Sequence, residues 1–499
     1  MDIKHKKSTF AWVWIVTAVI FCVLFTFALI PGALAQQTAP SPATQSQIRN
    51  YYNTIQSVFD FIVRNYVEEV DPNKLFEGAM NGMFGALEDP YSTFLSEADM
   101  KDLSDTTQGS FGGVGLNITK SVGARPDGKP AWVEVVSPIE DTPGWRAGIN
   151  PGDFIIDIDG TPTETISMDE VLLRLRGTPG ESVKLIIRRG ERMEFPVNII
   201  RAVIEVPTVK HAMIGDAGYI KLITFTPMTV ERARDAINEF KSKNYKSIIL
   251  DLRNNYGGRL DSAVDISNLF LDGGLVVRTR SRIPTENREF NARRLTLVPS
   301  DIPVIVLINR GSASASEIVA GALKDRGRAY LVGENTFGKG SVQQVIPLSD
   351  VGFKITTARY FTPSDVNIDK VGIPPDREVK FPEFTEDDAD KMNRLINDNV
   401  IPPFAEASPQ ATAAQVDTFA RTLEQEYGLE ISLLKRLIRT ELNRTTIAPV
   451  YDLEYDIQLQ EALNILRSGN YKNLMQNSRT LKALQEEAEE KALAAAQSF

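Results

Sequence analysis

Gly311-Ser312-Ala313-Ser314-Ala315-Ser316-Glu317 joins a strand-like apolar run, Ile302 to Ile308, to a helix-like run, Ile318 to Leu323. A cluster of serines among small residues therefore sits at a strand-to-helix turn. Downstream, Phe337-Gly338-Lys339-Gly340-Ser341-Val342-Gln343 brings in a lysine flanked by glycines. A serine exposed at such a turn, with a lysine available as base, is an arrangement suited to acyl transfer.

Histidine supply narrows the chemistry. The chain has two histidines, His5 in a basic N-terminal tip and His211 in a strand-like stretch, Thr208 to Ile214. A serine nucleophile needs an adjacent base, usually histidine. His211 reads more simply as a hydrogen-bonded strand residue, and a metal site with two histidines is excluded in practice. The single cysteine, Cys22, lies in an apolar N-terminal run, which argues against a cysteine nucleophile or a zinc–thiolate site. If the chain is a hydrolase, its base is a lysine, and neither metal nor cofactor is required.

At 499 residues, two to four domains are expected. The net charge of −10, without a basic stripe interleaved with aromatics, argues against nucleic acid as a partner. Lys4, Lys6 and Lys7 precede an apolar run from Phe10 to Ile30, and Pro31-Gly32-Ala33-Leu34-Ala35 follows. A basic tip, an apolar core and a small-x-small end describe an export signal. The run is nearly long enough to span a bilayer. Cleavage after Ala35 and anchoring through residues 10–30 both stay open. Either places the body in the cell envelope outside the cytoplasm, as a periplasmic, membrane-anchored or secreted protein. A cleaved chain would hold no cysteine, so disulfides are not expected.

Residues 36–103 read as a Pro/Ala/Ser/Thr/Gln-rich linker, Gln36 to Gln47, followed by helices. Ile48, Tyr51, Tyr52, Ile55, Val58, Phe59, Ile62 and Tyr66 mark one apolar helical face, expected to pack in a core. Leu75 to Leu87 forms the next helix. Residues 104–200 carry short alternating runs with Pro/Gly turns, as in a small β-rich domain. Residues 201–384 alternate strand-like and helical runs, which predicts a layered α/β core. Residues 385–499 are acidic and helical, and read as packing or dimer surface. The fold class is thus α/β (α+β) and multidomain, with helical regions at both ends.

Several motifs are specific in combination. They are Asp89-Pro90-Tyr91-Ser92, Gly109 to Gly115, Asp251-Leu252-Arg253-Asn254-Asn255, the Ser314 cluster, Thr336 to Gly340 with Gln343, and Gly372-Ile373-Pro374-Pro375-Asp376. On these residues the chain resembles the carboxyl-terminal processing proteases, an exported serine peptidase family. The likeness covers roughly Ile48 to Lys380 and returns weakly at Asp456-Ile457-Gln458-Leu459. It implies a crotonase/ClpP-like layered core and an endopeptidase that cleaves substrates near their C-terminus. It also implies Ser314 as nucleophile, Lys339 as general base and Gln343 as the residue orienting the lysine. The oxyanion donors it implies are the N–H groups of Ala315 and of a glycine in Asn255-Tyr256-Gly257-Gly258, Gly258 in the first place. Tyr256 departs from the family pattern, which often has proline or glycine there.

Physical chemistry fits that assignment. Ser314 would open a helix, so an oxyanion would meet free N–H groups and the positive end of the dipole. Lys339 must be neutral to accept a proton, against an ordinary value of about 10.4. Burial lowers it, and three units would cost about 4 kcal/mol. Taken alone, Ser314 and Glu317 would be a helix-capping box. Gly333 to Lys339 also matches seven positions of a phosphate-binding loop, but Gly340 replaces the required Ser or Thr.

Gly112-Gly113-Val114-Gly115-Leu116 resembles a PDZ carboxylate-binding loop, and Ala147 to Asp153 and Asp157-Ile158-Asp159-Gly160 match PDZ patterns. Such a module, inserted before the protease core, binds peptides or proteins with apolar C-termini by strand addition. A homo-oligomer or an adaptor protein is compatible with the sequence. The alternative reading is a non-catalytic PDZ-containing envelope scaffold with a decayed core; Ser314, Lys339 and Gln343 argue against it. An acyl-CoA enzyme of the crotonase type is disfavoured by the same residues.

Overall fold

The computed structural model describes residues 42–120, 130–139, 141–190, 193–294, 296–381, 386–444 and 449–497. The export or anchor segment, His5, Cys22 and most of the linker lie outside these residues. The chain divides into two units, Met1–Phe94 and Leu95–Phe499.

In the first unit, helices span Pro42–Asn65 and Pro72–Gly85. The first begins inside the expected linker. The second starts three residues before Leu75, because the Asp71 carboxylate accepts from the Asn73 N–H at 2.9 Å and proline suits the first turn. Ile55, Val58, Phe59 and Ile62 line an apolar groove with Leu75 and Ala79. The stripe on the first helix is not buried as expected: Tyr52 is 66% exposed and Tyr66 60%.

The second unit opens with the β-rich module. Strands Leu116–Lys120, Val133–Pro138, Phe154–Ile158, Ser182–Arg189 and Met193–Ile200 form one antiparallel sheet. Alternating residues such as Val133, Val135, Leu185 and Ile187 point into its core. Helix Met168–Leu175 covers it, capped by Ser167. Asp159 and Gly160, with φ of 51° and 81°, make the predicted tight turn.

The layered core is built on β1 (Val209–Ile214), β2 (Ala217–Leu222), α1 (Pro227–Ser242), β3 (Ser247–Asp251) and α2 (Leu260–Asn268). It continues through β4 (Gly274–Ser281), β5 (Arg288–Ala292), β6 (Val304–Ile308), α3 (Ala315–Asp325), β7 (Tyr330–Gly333), β8 (Ser341–Leu348), β9 (Val351–Phe361) and β10 (Arg377–Glu378). The main sheet has the order β1-β2-β3-β6-β7-β10 and is parallel except for the β1/β2 pair. All residues of β3 and β6 are buried, as expected for parallel strands covered on both faces. A second, antiparallel layer has β9 between β4 and β8, with β5 on the far side of β4. β4 and β5 escaped the sequence reading, since charged residues interrupt their apolar positions.

The tail is not one separate helical region. Helices Glu386–Asn397, Ile401–Ala407, Ala413–Tyr427 and Ile431–Arg444 share their own apolar core. α4 (Ile457–Arg467) instead covers the main sheet, placing Leu459, Ala462 and Leu463 against Tyr219, Ile249, Ile305 and Val332. A buried network locks it there. Arg253 donates from Nη1 and Nη2 to Asp456 at 2.7 and 2.6 Å, and from Nε and Nη2 to Asp251 at 2.9 and 2.6 Å. The Tyr219 hydroxyl also donates to Asp251, at 2.7 Å. Burial alone would raise the Asp251 carboxyl, but the Arg253 guanidinium beside it holds it below the ordinary range.

Candidate active site

β6 ends at Ile308 in the middle of the sheet, and the chain turns through Asn309–Ala313 into α3. The outer serines of the cluster fasten this turn. The Ser312 hydroxyl donates to the Leu252 carbonyl at 2.9 Å, and the Ser316 hydroxyl to the Asn255 carbonyl at 2.7 Å. The Ala313 N–H donates to the same Asn255 carbonyl at 3.0 Å. Two loops, 252–258 and 309–316, are thereby stitched edge to edge.

Ser314 sits between those stitches with φ 56° and ψ −111°. A non-glycine residue there costs about 1–3 kcal/mol and persists only when its surroundings enforce it. Such a sharp strand-to-helix turn aims a side chain out of the turn, as nucleophile elbows do.

The enforcing group is Glu317, which is fully buried. Its Oε2 accepts from the N–H of Ser314 at 2.9 Å and from the N–H of Lys339 at 2.8 Å. Its Oε1 accepts from the Thr336 hydroxyl at 2.6 Å and from the Gly338 N–H at 2.7 Å. The sequence reading took Glu317 for half of a capping box. That half is present, but the same carboxylate also holds the lysine segment. Burial pushes the carboxyl above the usual carboxylate range, against the pull of the four donated hydrogen bonds.

Lys339 is half-buried, and its Nζ donates to Gln343 Oε1 at 2.5 Å. Gln343 Nε2 donates in turn to the Ser341 hydroxyl at 2.9 Å and the Thr356 hydroxyl at 3.2 Å, which fixes which end of the amide meets the lysine. The structure thus joins Ser314 and Lys339 through Glu317, and Lys339 to Gln343 directly. A strand, β8, follows Lys339, which removes the phosphate-loop reading.

The loop 254–258 faces the turn. A Cβ on Gly257 would lie 2.9 Å from the Ser314 Cβ and 3.0 Å from the Ala315 nitrogen, and its φ is +109°. Gly258 bridges Phe225 through its neighbours: the Phe225 N–H donates to the Gly257 carbonyl and the Arg259 N–H to the Phe225 carbonyl. That parallel bridge turns Gly258's own N–H away from Phe225. Among the described residues, neither the Gly258 N–H nor the Ala315 N–H donates to another protein group.

His211 is remote from this cluster. It lies on edge strand β1 and pairs with Glu239 on α1 at 2.9 Å. In the β-rich module, Gly112 and Gly113 end a short strand paired with Val203 and Ala202, Val114 and Gly115 form the turn, and Leu116 opens the next strand. Close packing also demands small residues here: a Cβ on Gly115 would fall 2.2 Å from the Thr142 Cβ.

Residues 216–379 match peptidase family S41, residues 134–189 match the PDZ domain, and residues 30–99 match the N-terminal domain of the activating protease CtpB. The chain is 42% identical to a carboxy-terminal-processing protease of Bartonella bacilliformis, over 65% of this chain and 74% of that one. It is 36% identical to the carboxy-terminal processing protease CtpB of Bacillus subtilis, over 70% and 72%. Among solved structures, the photosystem II D1 C-terminal processing protease is similar at 30% identity, covering 65% of this chain and 92% of that chain, with a TM-score of 0.39.

Proposed function

The chain belongs to the carboxy-terminal processing proteases, serine-type peptidases of family S41, and from that premise we propose that it cuts protein substrates near their C-terminus with a Ser314/Lys339 dyad. Neutral Lys339 takes the Ser314 hydroxyl proton as Oγ attacks the scissile carbonyl. Gln343 fixes the amine's direction. The N–H groups of Ala315 and Gly258 receive the oxyanion as the tetrahedral intermediate forms. The intermediate collapses to an acyl-enzyme with the proton passing to the leaving amine, and water then repeats the sequence.

The observation that carries this reading is that one Glu317 oxygen accepts from the main-chain N–H of both Ser314 and Lys339. A shared acceptor puts nucleophile and base segments side by side although α3 and β7 lie between them along the chain. The test is comparison of peptides released from an envelope extract by wild type and by Ser314→Ala, read by mass spectrometry. Identical peptide patterns would end the proposal.

The oxyanion assignment gives its own expectation. Gly257→Ala would push a methyl against Ser314 Cβ and the Ala315 nitrogen. Blocking that hole is expected to lower kcat about 100-fold or more. A kcat within threefold of wild type in steady-state hydrolysis would place the oxyanion elsewhere.

The PDZ domain, in this reading, selects apolar substrate C-termini, whose carboxylate meets the N–H groups of Gly113, Val114, Gly115 and Leu116 while Gly112 packs the turn. With Ser314→Ala protein, a peptide ending in an apolar residue is expected to bind at least about tenfold tighter than its C-terminal amide. Equal affinities by calorimetry would remove the carboxylate from recognition. The N-terminal segment would deliver the enzyme outside the cytoplasm.

A further inference from the structure

Asp456-Ile457-Gln458-Leu459 opens α4, far along the chain from the dyad, and the chemistry above gives its two polar side chains no task. Gln458 is fully buried, and its amide is satisfied at both ends. Its Oε1 accepts from Arg253 Nη1 at 3.0 Å. Its Nε2 donates to the Val379 carbonyl at 2.8 Å and to Glu334 Oε1 at 3.4 Å. Arg253 belongs to the loop 252–258, whose Gly257 lies against the Ser314 turn. The Val379 N–H donates to the Gly333 carbonyl at 2.9 Å, and Glu334 heads the segment that leads to Lys339. Glu317 joins the nucleophile segment to the base segment. Gln458 joins the base segment to the oxyanion loop.

We propose that Asp456 and Gln458 are positioning residues for the oxyanion loop, an inference that rests on the oxyanion reading given above. A guanidinium has five N–H donors. Asp251, at the end of β3, takes two of those of Arg253, and the start of α4 takes the other three through Asp456 and Gln458. With every donor engaged and little exposure, the arginine has one place to be. The N–H group of Gly258 follows five residues later, and it works only where the oxygen of the tetrahedral intermediate arrives, within about 3 Å. A loop displaced by about 1 Å would cost about 100-fold in rate. Because the anchor acts on a group that meets the intermediate, its loss falls on kcat and not on KM.

The test uses full-length protein carrying Gln458→Leu, Asp456→Asn or Asp456→Ser, with Leu463→Ala as control. Gln458→Leu removes both ends of the bridge at similar size. Asp456→Asn keeps the helix cap on the Leu459 N–H and part of the grip on Arg253, whereas Asp456→Ser keeps the cap alone. Leu463→Ala loosens the same helix through its apolar contacts. A peptide boronate forms a tetrahedral adduct on a serine and so reads the oxyanion donors directly. Gln458→Leu and Asp456→Ser are expected to lower kcat about tenfold or more with KM within twofold, and to weaken the boronate by the same factor. Asp456→Asn should fall between Asp456→Ser and wild type. Leu463→Ala should lower the denaturation midpoint and keep kcat within twofold. Folded Gln458→Leu with kcat and boronate affinity within twofold of wild type overturns the proposal. So does a Leu463→Ala enzyme that loses as much kcat as Asp456→Ser. If Gln458→Leu does not fold, the Asp456 series decides by the same thresholds. Gly257→Ala with kcat within threefold of wild type would instead overturn the oxyanion reading, and hydrolysis by folded Ser314→Ala the dyad, so the failures stay distinct.

Discussion

Ser314→Ala and Lys339→Ala are each expected to lower peptide hydrolysis by about 10⁴-fold or more while the protein stays folded. The serine variant removes the atom that forms the acyl bond. The lysine variant removes the acceptor for its proton, and His211, the one histidine among the described residues, is engaged with Glu239 on edge strand β1. That strand lies three places from β6 in the sheet order, so His211 does not substitute as a base. The two losses should not add, because the residues act as a unit. Circular dichroism establishes the fold, and steady-state kinetics with a serine-reactive probe reads the chemistry. Folded Lys339→Ala that labels with the probe at the wild-type rate would remove the lysine from the mechanism.

The second large effect is expected at a residue that touches no substrate. Glu317→Gln replaces one acceptor oxygen by an amide that can only donate. Whichever way the amide turns, its NH₂ faces a main-chain donor: the N–H groups of Ser314 and Lys339 on one side, or that of Gly338 on the other. Opposed donors in a site with no exposure have no water to relieve them, and a loss of about 3 kcal/mol in stability is expected. The kcat should fall about 100-fold, because a shift of about 1 Å between nucleophile and base is enough for that. Denaturant melts measure the first and steady-state kinetics the second; a variant near wild type in both would show that Glu317 does not hold the site.

The pH dependence has a definite sign. Burial raises the Glu317 carboxyl, so the native chain binds that proton more tightly than the unfolded chain does. The linked stability is complete below the ordinary carboxyl value of about 4.3 and is lost as pH rises through the raised folded value. Glu317→Gln should abolish that slope.

Local pattern carried far into this molecule. The apolar run ending at Ile308, the small residues of the turn and the run from Ile318 fixed a strand, an elbow and a helix where the structure has them. The scarcity of histidine pointed to a lysine base, and the family resemblance implied Gln343 as the residue that meets its amine. These are properties of neighbours along the chain, and side-chain periodicity and turn chemistry encode them directly. Other features had no local signature. Glu317 looked like a cap because three residues separate it from Ser314, while its other partners lie 19 to 22 positions away. The helix at Ile457 looked like a peripheral tail, yet Asp456 reaches Arg253 across 203 positions to fasten it over the sheet. A buried charge or hydroxyl must find partners wherever the fold supplies them. Which partners those are depends on crossovers between parallel strands, and only the folded chain decides that.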